Sequence, residues 1–235
     1  MQLQPIAGDL WIYEGEVVSF YGFPFPTRMS VIRLHGDRLW IHSPEKLNSG
    51  LKEELSALGR VAYLISPNKL HHLFLDTWLK DFPAAKSCAA PGLIEKRPDL
   101  RFDVELCERV EEAWADEIDQ TLFRGSPLMV EAVFFHKASR TLILTDLIEN
   151  LDADSLNYWQ RVVARWAGIL APNGKMPLDW RLSFRFGGRE QARTELAKIL
   201  SWQPENIILS HGGCIFGNGA AFIAKSFSWL MEPGS

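Results

Sequence analysis

The strongest constraint on this chain is a set of short apolar runs. VAYLI (61–65), TLILT (141–145) and NIILS (206–210) alternate with stretches whose apolar residues recur at helical spacing. Each run has strand length and is bounded by polar or turn residues, so it reads as a buried strand rather than a core helix. Between them, Leu51, Leu55 and Leu58 mark a helix that Gly59 can close. HHLFLDTWLKDF (71–82) reads as a second helix stopped by Pro83. A third carries Trp159, Val163, Trp166 and Leu170 every three or four positions up to Pro172-Asn-Gly, and REQARTELAKIL forms a fourth. SVIRLHGDRLWIHSP places two apolar runs around a Gly-Asp turn, a hairpin signal. IDQTLFRG and LMVEAVFFH add strands, and a last helix is expected around 219–230. Without a repeat or linker, the simplest account is one α/β domain over residues 1–235, with its sheet covered by helices.

Composition excludes several classes. The 235 residues carry 25 basic and 29 acidic side chains, a net charge of −4, so a nucleic-acid partner is not expected. No run approaches the roughly 18 apolar residues that span a bilayer, and no membrane partner is expected. The start MQLQPIAGDLWIYEG lacks the pattern of a signal peptide. Cys88, Cys107 and Cys214 have no CxxC spacing and read as buried free thiols. These features suit a soluble cytoplasmic protein, and exposed aromatics would suit a homodimer contact.

Six histidines are few enough to weigh singly. His35 and His136 fall in turn-like segments and read as solvent-exposed. His42, the pair His71 and His72, Asp146 and His211 all follow apolar strand-like runs. Strand ends are where α/β folds place their sites. Imidazole and carboxylate from several strand ends suit a catalytic divalent cation with an open position. Trp40, Trp78 and Trp159 sit at apolar-periodic places and read as core. Glu131, inside LMVEAVFF, reads as a satisfied or edge-exposed charge, with a pairing to Lys69 as the alternative. GGCIFGNGAAF (212–222) lacks the Gly-Lys-Ser/Thr ending of a phosphate loop, and no GxSxG elbow occurs. No organic cofactor is therefore expected. The aromatic segment 20–26, FYGFPFP, reads as a packed N-terminal arm, with a lid over a site as the alternative.

In order and spacing, Ile41-His42-Ser43-Pro44, the segment Ser66–His72, Thr145-Asp146 and Ser210-His211-Gly212 resemble the successive motifs of the metallo-β-lactamase superfamily, in particular its divergent DUF4336-like branch. The resemblance implies a four-layer αββα sandwich. Pro67, Lys69 and the Gly125-Ser126 turn stand where that family supplies the ligands of its first metal, which removes that site. The resemblance implies that His71, His72, Asp146 and His211 hold one zinc or similar divalent ion, with His42 in reserve. It makes Asp146 and Lys69 the catalytic candidates, Lys69 stabilising developing negative charge. The implied activity is metal-dependent hydrolysis of a small-molecule ester, thioester or phosphodiester. The alternative is a metal-free relative that binds a ligand or partner in the former pocket, with a Lys69–Asp146 ion pair replacing the metal.

Overall fold

The computed structural model describes residues 2–20 and 22–231. Tyr21, within the aromatic arm, lies outside the described residues. In chain order the strands are β1 (Gln4–Ala7), β2 (Leu10–Glu14), β3 (Val18–Phe20), β4 (Phe23–Phe25), β5 (Arg28–Leu34), β6 (Arg38–His42), β7 (Arg60–Ser66), β8 (Lys86–Ala89), β9 (Val104–Glu105), β10 (Ile118–Phe123), β11 (Glu131–His136), β12 (Thr141–Leu144) and β13 (Asn206–Leu209). The helices are α1 (Ser49–Leu58), α2 (Leu75–Asp81), α3 (Leu93–Lys96), α4 (Tyr158–Ala167), α5 (Leu178–Ser183), α6 (Arg189–Ser201), α7 (Gly219–Ser226) and α8 (Ser228–Met231).

Two main sheets result, one ordered β1-β2-β5-β6-β7-β8-β9 and the other β10-β11-β12-β13, with β3 and β4 forming a separate ribbon. Side-chain alternation explains why they stack. Along β6, Trp40 faces the other sheet while Leu39 and Ile41 face helices. Along β11, Ala132 and Phe134 face the first sheet while Val133 and Phe135 face outward. The central core thus joins Ile32, Trp40 and Ile65 to Leu122, Phe134 and Ile208. One outer core packs α1 and α2 on the first sheet through Leu51, Leu55 and Trp78. The other packs α5 to α8 on the second through Trp180, Leu196, Ile223 and Leu230. This is the αββα sandwich that the motif order implied.

The Gly-Asp hairpin forms, with Leu34 opposite Arg38. Gly59 follows α1 and its N–H bonds the Leu55 carbonyl. Three helices differ from expectation; the last, expected as one over 219–230, is divided at Phe227 into α7 and α8. The second begins only at Leu75, because residues 71–74 are drawn into turns; Asn68 Oδ1 accepts the backbone N–H groups of Leu70 and His71 and breaks the helical path. The third ends at Ala167, with Gly168 in the left-handed region, before Pro172 is reached. His136 is buried rather than solvated, its Nδ1 2.7 Å from Ser139 Oγ. Cys88 is buried as expected, but Cys107 is exposed.

Candidate metal centre

The two parallel strand pairs place the site. β6 pairs with β7 and β12 with β13 in parallel, so their carboxyl ends lie side by side. Leu144 is opposite Leu209, and Asp146 and His211 each follow two residues later on adjacent strands. The segment after β7 crosses to the second sheet, where the Ala132 N–H bonds the Pro67 carbonyl at 2.8 Å. That crossing carries His71 to the other two. His71, Asp146 and His211 each offer a ligand atom, and these atoms lie within 4.8 Å of one another. His71 Nε2 stands 3.3 Å from Asp146 Oδ2, His211 Nε2 3.1 Å from Asp146 Oδ1, and the two Nε2 atoms 3.3 Å apart.

The surrounding residues orient all three. His211 Nδ1 donates to the Pro26 carbonyl at 2.8 Å, so in the neutral ring Nε2 carries the lone pair and faces the cluster. His71 Nδ1 lies 2.7 Å from Ser43 Oγ. Asn68 is fully buried and directs its amide at Asp146 Oδ2 (2.7 Å), Thr145 Oγ1 (2.9 Å) and Glu131 Oε2 (3.1 Å). Glu131 in turn accepts the backbone N–H groups of Thr145, Asp146 and Leu147 at 2.8, 2.8 and 3.2 Å. It is the satisfied charge of the two expected alternatives, and it fixes the backbone that presents Asp146. Arg28 reaches across from β5 and donates to the Leu209 and Gly212 carbonyls, pinning the turn that bears His211. Gly212, at φ +94°, is needed there because a Cβ would strike the Asn150 carbonyl.

Electrostatics follow from this packing. Burial opposes ionisation of Asp146, but His71 and His211 outweigh it and hold the carboxyl far below its usual range. Burial likewise opposes charge on His211, yet Asp146 pushes its pKa up to about 9. Around them, burial raises Glu45 to about 7, and raises Glu149 to about 8 against the pull of His211. The Glu131 carboxyl is raised by burial and by Asp146.

The structure brings together three of the four expected ligands. His72 is turned aside, its Nδ1 3.0 Å from Arg97 Nη1; burial, Lys96 and Arg97 all lower its pKa. Lys69 lies over Gly92, where a Cβ would meet its Cε, and pairs with no carboxylate among the described residues. Asp146 is paired by two imidazoles instead. His42 is buried between Trp40 and Phe134 with both ring nitrogens unpartnered, and burial lowers its pKa to about 3. The aromatic arm packs beside the site: Phe25 meets the His211 ring edge-on at 5.3 Å, and Phe23 meets Trp159 at 5.2 Å. Asn68, Ser43, Arg28 and Glu131 orient the cluster without being its candidates. Of these, only Glu131, a charge inside the apolar run LMVEAVFF, stood out in the sequence.

A family model described as "Domain of unknown function (DUF4336)" matches residues 7–164. The chain belongs to this family. Among solved structures, the DUF4336 chain is similar to a metallo-β-lactamase from Pontibacter korlensis, at TM-score 0.63 and 9% identity, covering 98% of this chain and 99% of that one. It is similar to the DIM-1 metallo-β-lactamase, at TM-score 0.66 and 12% identity, covering 98% and 96%. It is also similar to the flavodiiron core of Flv1 from Synechocystis sp. PCC6803, at TM-score 0.64 and 14% identity, covering 98% of this chain and 61% of that one. These likenesses establish the metallo-β-lactamase fold. A comparison with curated proteins found no match.

Proposed function

We propose that this protein is a metal-dependent hydrolase with a single-ion site on His71, Asp146 and His211. The observation that carries the reading is the convergence of two imidazole Nε2 atoms and one carboxylate from three strand-end segments within 4.8 Å of one another, with Asp146 and His211 buried and His71 half-buried. The donor set fits zinc, iron or manganese. A divalent cation there supplies Lewis acidity toward a carbonyl or phosphoryl oxygen and makes water a better nucleophile at neutral pH. The Pro26 carbonyl sets the His211 tautomer that frees Nε2. Asn68 and Glu131 hold Asp146 in place from its side chain and its backbone. The substrate class is a small ester, thioester or phosphodiester.

One observation favours a second reading. Asp146 already has two imidazole partners, so the cluster can close on itself as a charged triad without a cation. The protein would then bind a ligand or partner in this pocket without hydrolysing it. Elemental analysis of chain purified without chelator, followed by zinc, iron and manganese titrations, separates the two. About one equivalent of metal in the wild type, lost in a His71→Ala/His211→Ala double variant that stays folded, is the expected result. No stoichiometric binding of any of the three, or retention in the double variant, would refute the hydrolase reading.

A further inference from the structure

α4 presents an apolar face to solvent. Its inward side is made by Gln160, which is buried, and Ala164, which packs with Leu151, Leu156 and Ile169. The opposite arc carries Tyr158, Trp159, Val162, Val163 and Trp166, with Tyr158 85%, Trp159 51% and Trp166 84% exposed. Helices normally bury such an arc, and a contiguous exposed apolar patch marks an interaction surface. The helix is not a frayed element turned the wrong way round. Asn157 and Gln160 form a complete capping box, and the Gln160 amide also bonds the Gly22 carbonyl at 2.8 Å, which fixes the rotation.

Charge says what the face meets. Residues 152–190 carry Arg161, Arg165, Lys175, Arg181, Arg185 and Arg189 against Asp152, Asp154, Asp179 and Glu190, a basic excess in a chain whose net charge is −4, with Arg161 4.0 Å from Asp154. Arg161 and Arg165 rim one edge of the apolar arc. Arg165 and Arg185 are exposed and form no ion pair among the described residues. Phe186, one residue further on, is 88% exposed. Exposed Trp, Tyr and Val beside arginines is the composition of a helix that lies in a lipid headgroup layer. At 10 residues, α4 is about 15 Å long, half the thickness of a bilayer core, so it can rest in the interface and cannot cross. A second copy of the chain is a poorer occupant. A two-fold contact would set the same basic rim on both sides, and one short helix face falls well below the roughly 800 Å² per partner of a stable dimer.

We infer that the α4 face docks this protein onto the surface of an anionic lipid bilayer. The sequence-wide charge balance hides this, because the basic segment is averaged with acidic ones elsewhere. The face is also joined to the site. Trp159 touches Phe23 of the aromatic ribbon, and Phe25 of that ribbon touches His211, so docking sets the pocket beside the bilayer. The inference does not depend on whether a metal is bound.

The test is co-sedimentation of the full chain with vesicles of phosphatidylcholine alone or mixed with phosphatidylglycerol. Binding is expected only with the anionic vesicles, and should weaken in high salt. An Arg165→Glu variant should bind at least about fivefold more weakly. Trp159→Ser/Trp166→Ser should lose about tenfold or more, and Trp166→Ser alone, whose side chain is 84% exposed, should weaken binding with an unchanged melting temperature. The inference is overturned if neither vesicle pellets the protein, or if these variants bind like wild type. It is also overturned if the tryptophan pair instead abolishes a wild-type dimer or nucleic-acid binding.

Discussion

Replacing His42 by Leu tests the buried electrostatics quantitatively. The imidazole is stacked at 5.6 Å on Trp40 and meets Phe134 edge-on, with no hydrogen-bond partner on either nitrogen. Burial, and then the nearby His71, lower its pKa from 6.5 to about 3. The folded protein therefore resists taking up a proton that the unfolded chain accepts freely. Stability from this group is fully present above pH 6.5 and is lost as pH falls from there toward 3. At about pH 5 the loss is roughly 1.5 units at 1.36 kcal/mol each, or about 2 kcal/mol. Leu removes the titration and also the two unsatisfied nitrogens, whose burial costs about 1–3 kcal/mol. Denaturant unfolding of wild type and His42→Leu at about pH 7.5 and pH 5 isolates the effect, since the other titrating groups are common to both. The variant should be equal or more stable at the higher pH and should gain a further 2 kcal/mol or so, relative to wild type, at the lower. An unchanged difference between the two pH values would show that His42 is not held neutral by burial, and the reasoning would fail.

Two other substitutions probe the frame of the site. Glu131→Ala leaves three backbone N–H groups without their acceptor, at about 1–3 kcal/mol each where no water replaces it, and should lower stability by at least about 3 kcal/mol; a loss below about 1 kcal/mol in denaturant unfolding would mean the carboxylate is not what holds Asp146. Gly212→Ala forces a side chain into the left-handed region and against the Asn150 carbonyl, so a cost of about 3 kcal/mol or more and a lowered melting temperature are expected; a neutral variant would contradict the turn geometry behind His211.

Much of the sandwich is legible because its central strands β5, β6, β7, β10, β11, β12 and β13 could be read from short apolar runs, whereas β1, β3, β4 and β9 are too short or too polar to stand out. The helices show where such reading stops. Periodicity located α4 but not the side that faces inward, and Trp159, Val163 and Trp166 turned out to be the exposed face. What decides the rotation is Gln160, a polar residue buried because it bonds both its own cap and Gly22, and Ala164, small enough for close packing. Such choices depend on partners more than a hundred positions away. At the site the same limit applies. Adjacency made His71 and His72 equal candidates, and only the Asn68 turn decides that His71 joins Asp146 while His72 meets Arg97. Asp146 and His211 were easier, since both simply follow the ends of neighbouring parallel strands.

Arg28 belongs to the first sheet and bonds the carbonyls of Leu209 and Gly212 at the end of the second. His71 likewise leaves the first sheet to meet Asp146 and His211 of the second. The contacts that bring His71 into the cluster therefore span the seam between the two halves of the sandwich, while Asp146 and His211 meet within the second half. The second half holds two of the three ligands, so the complete three-ligand site is assembled only when the halves close and is lost when they part. Whatever ligand occupies it acts as a clasp on that seam, and its binding strength adds directly to the work of opening the protein.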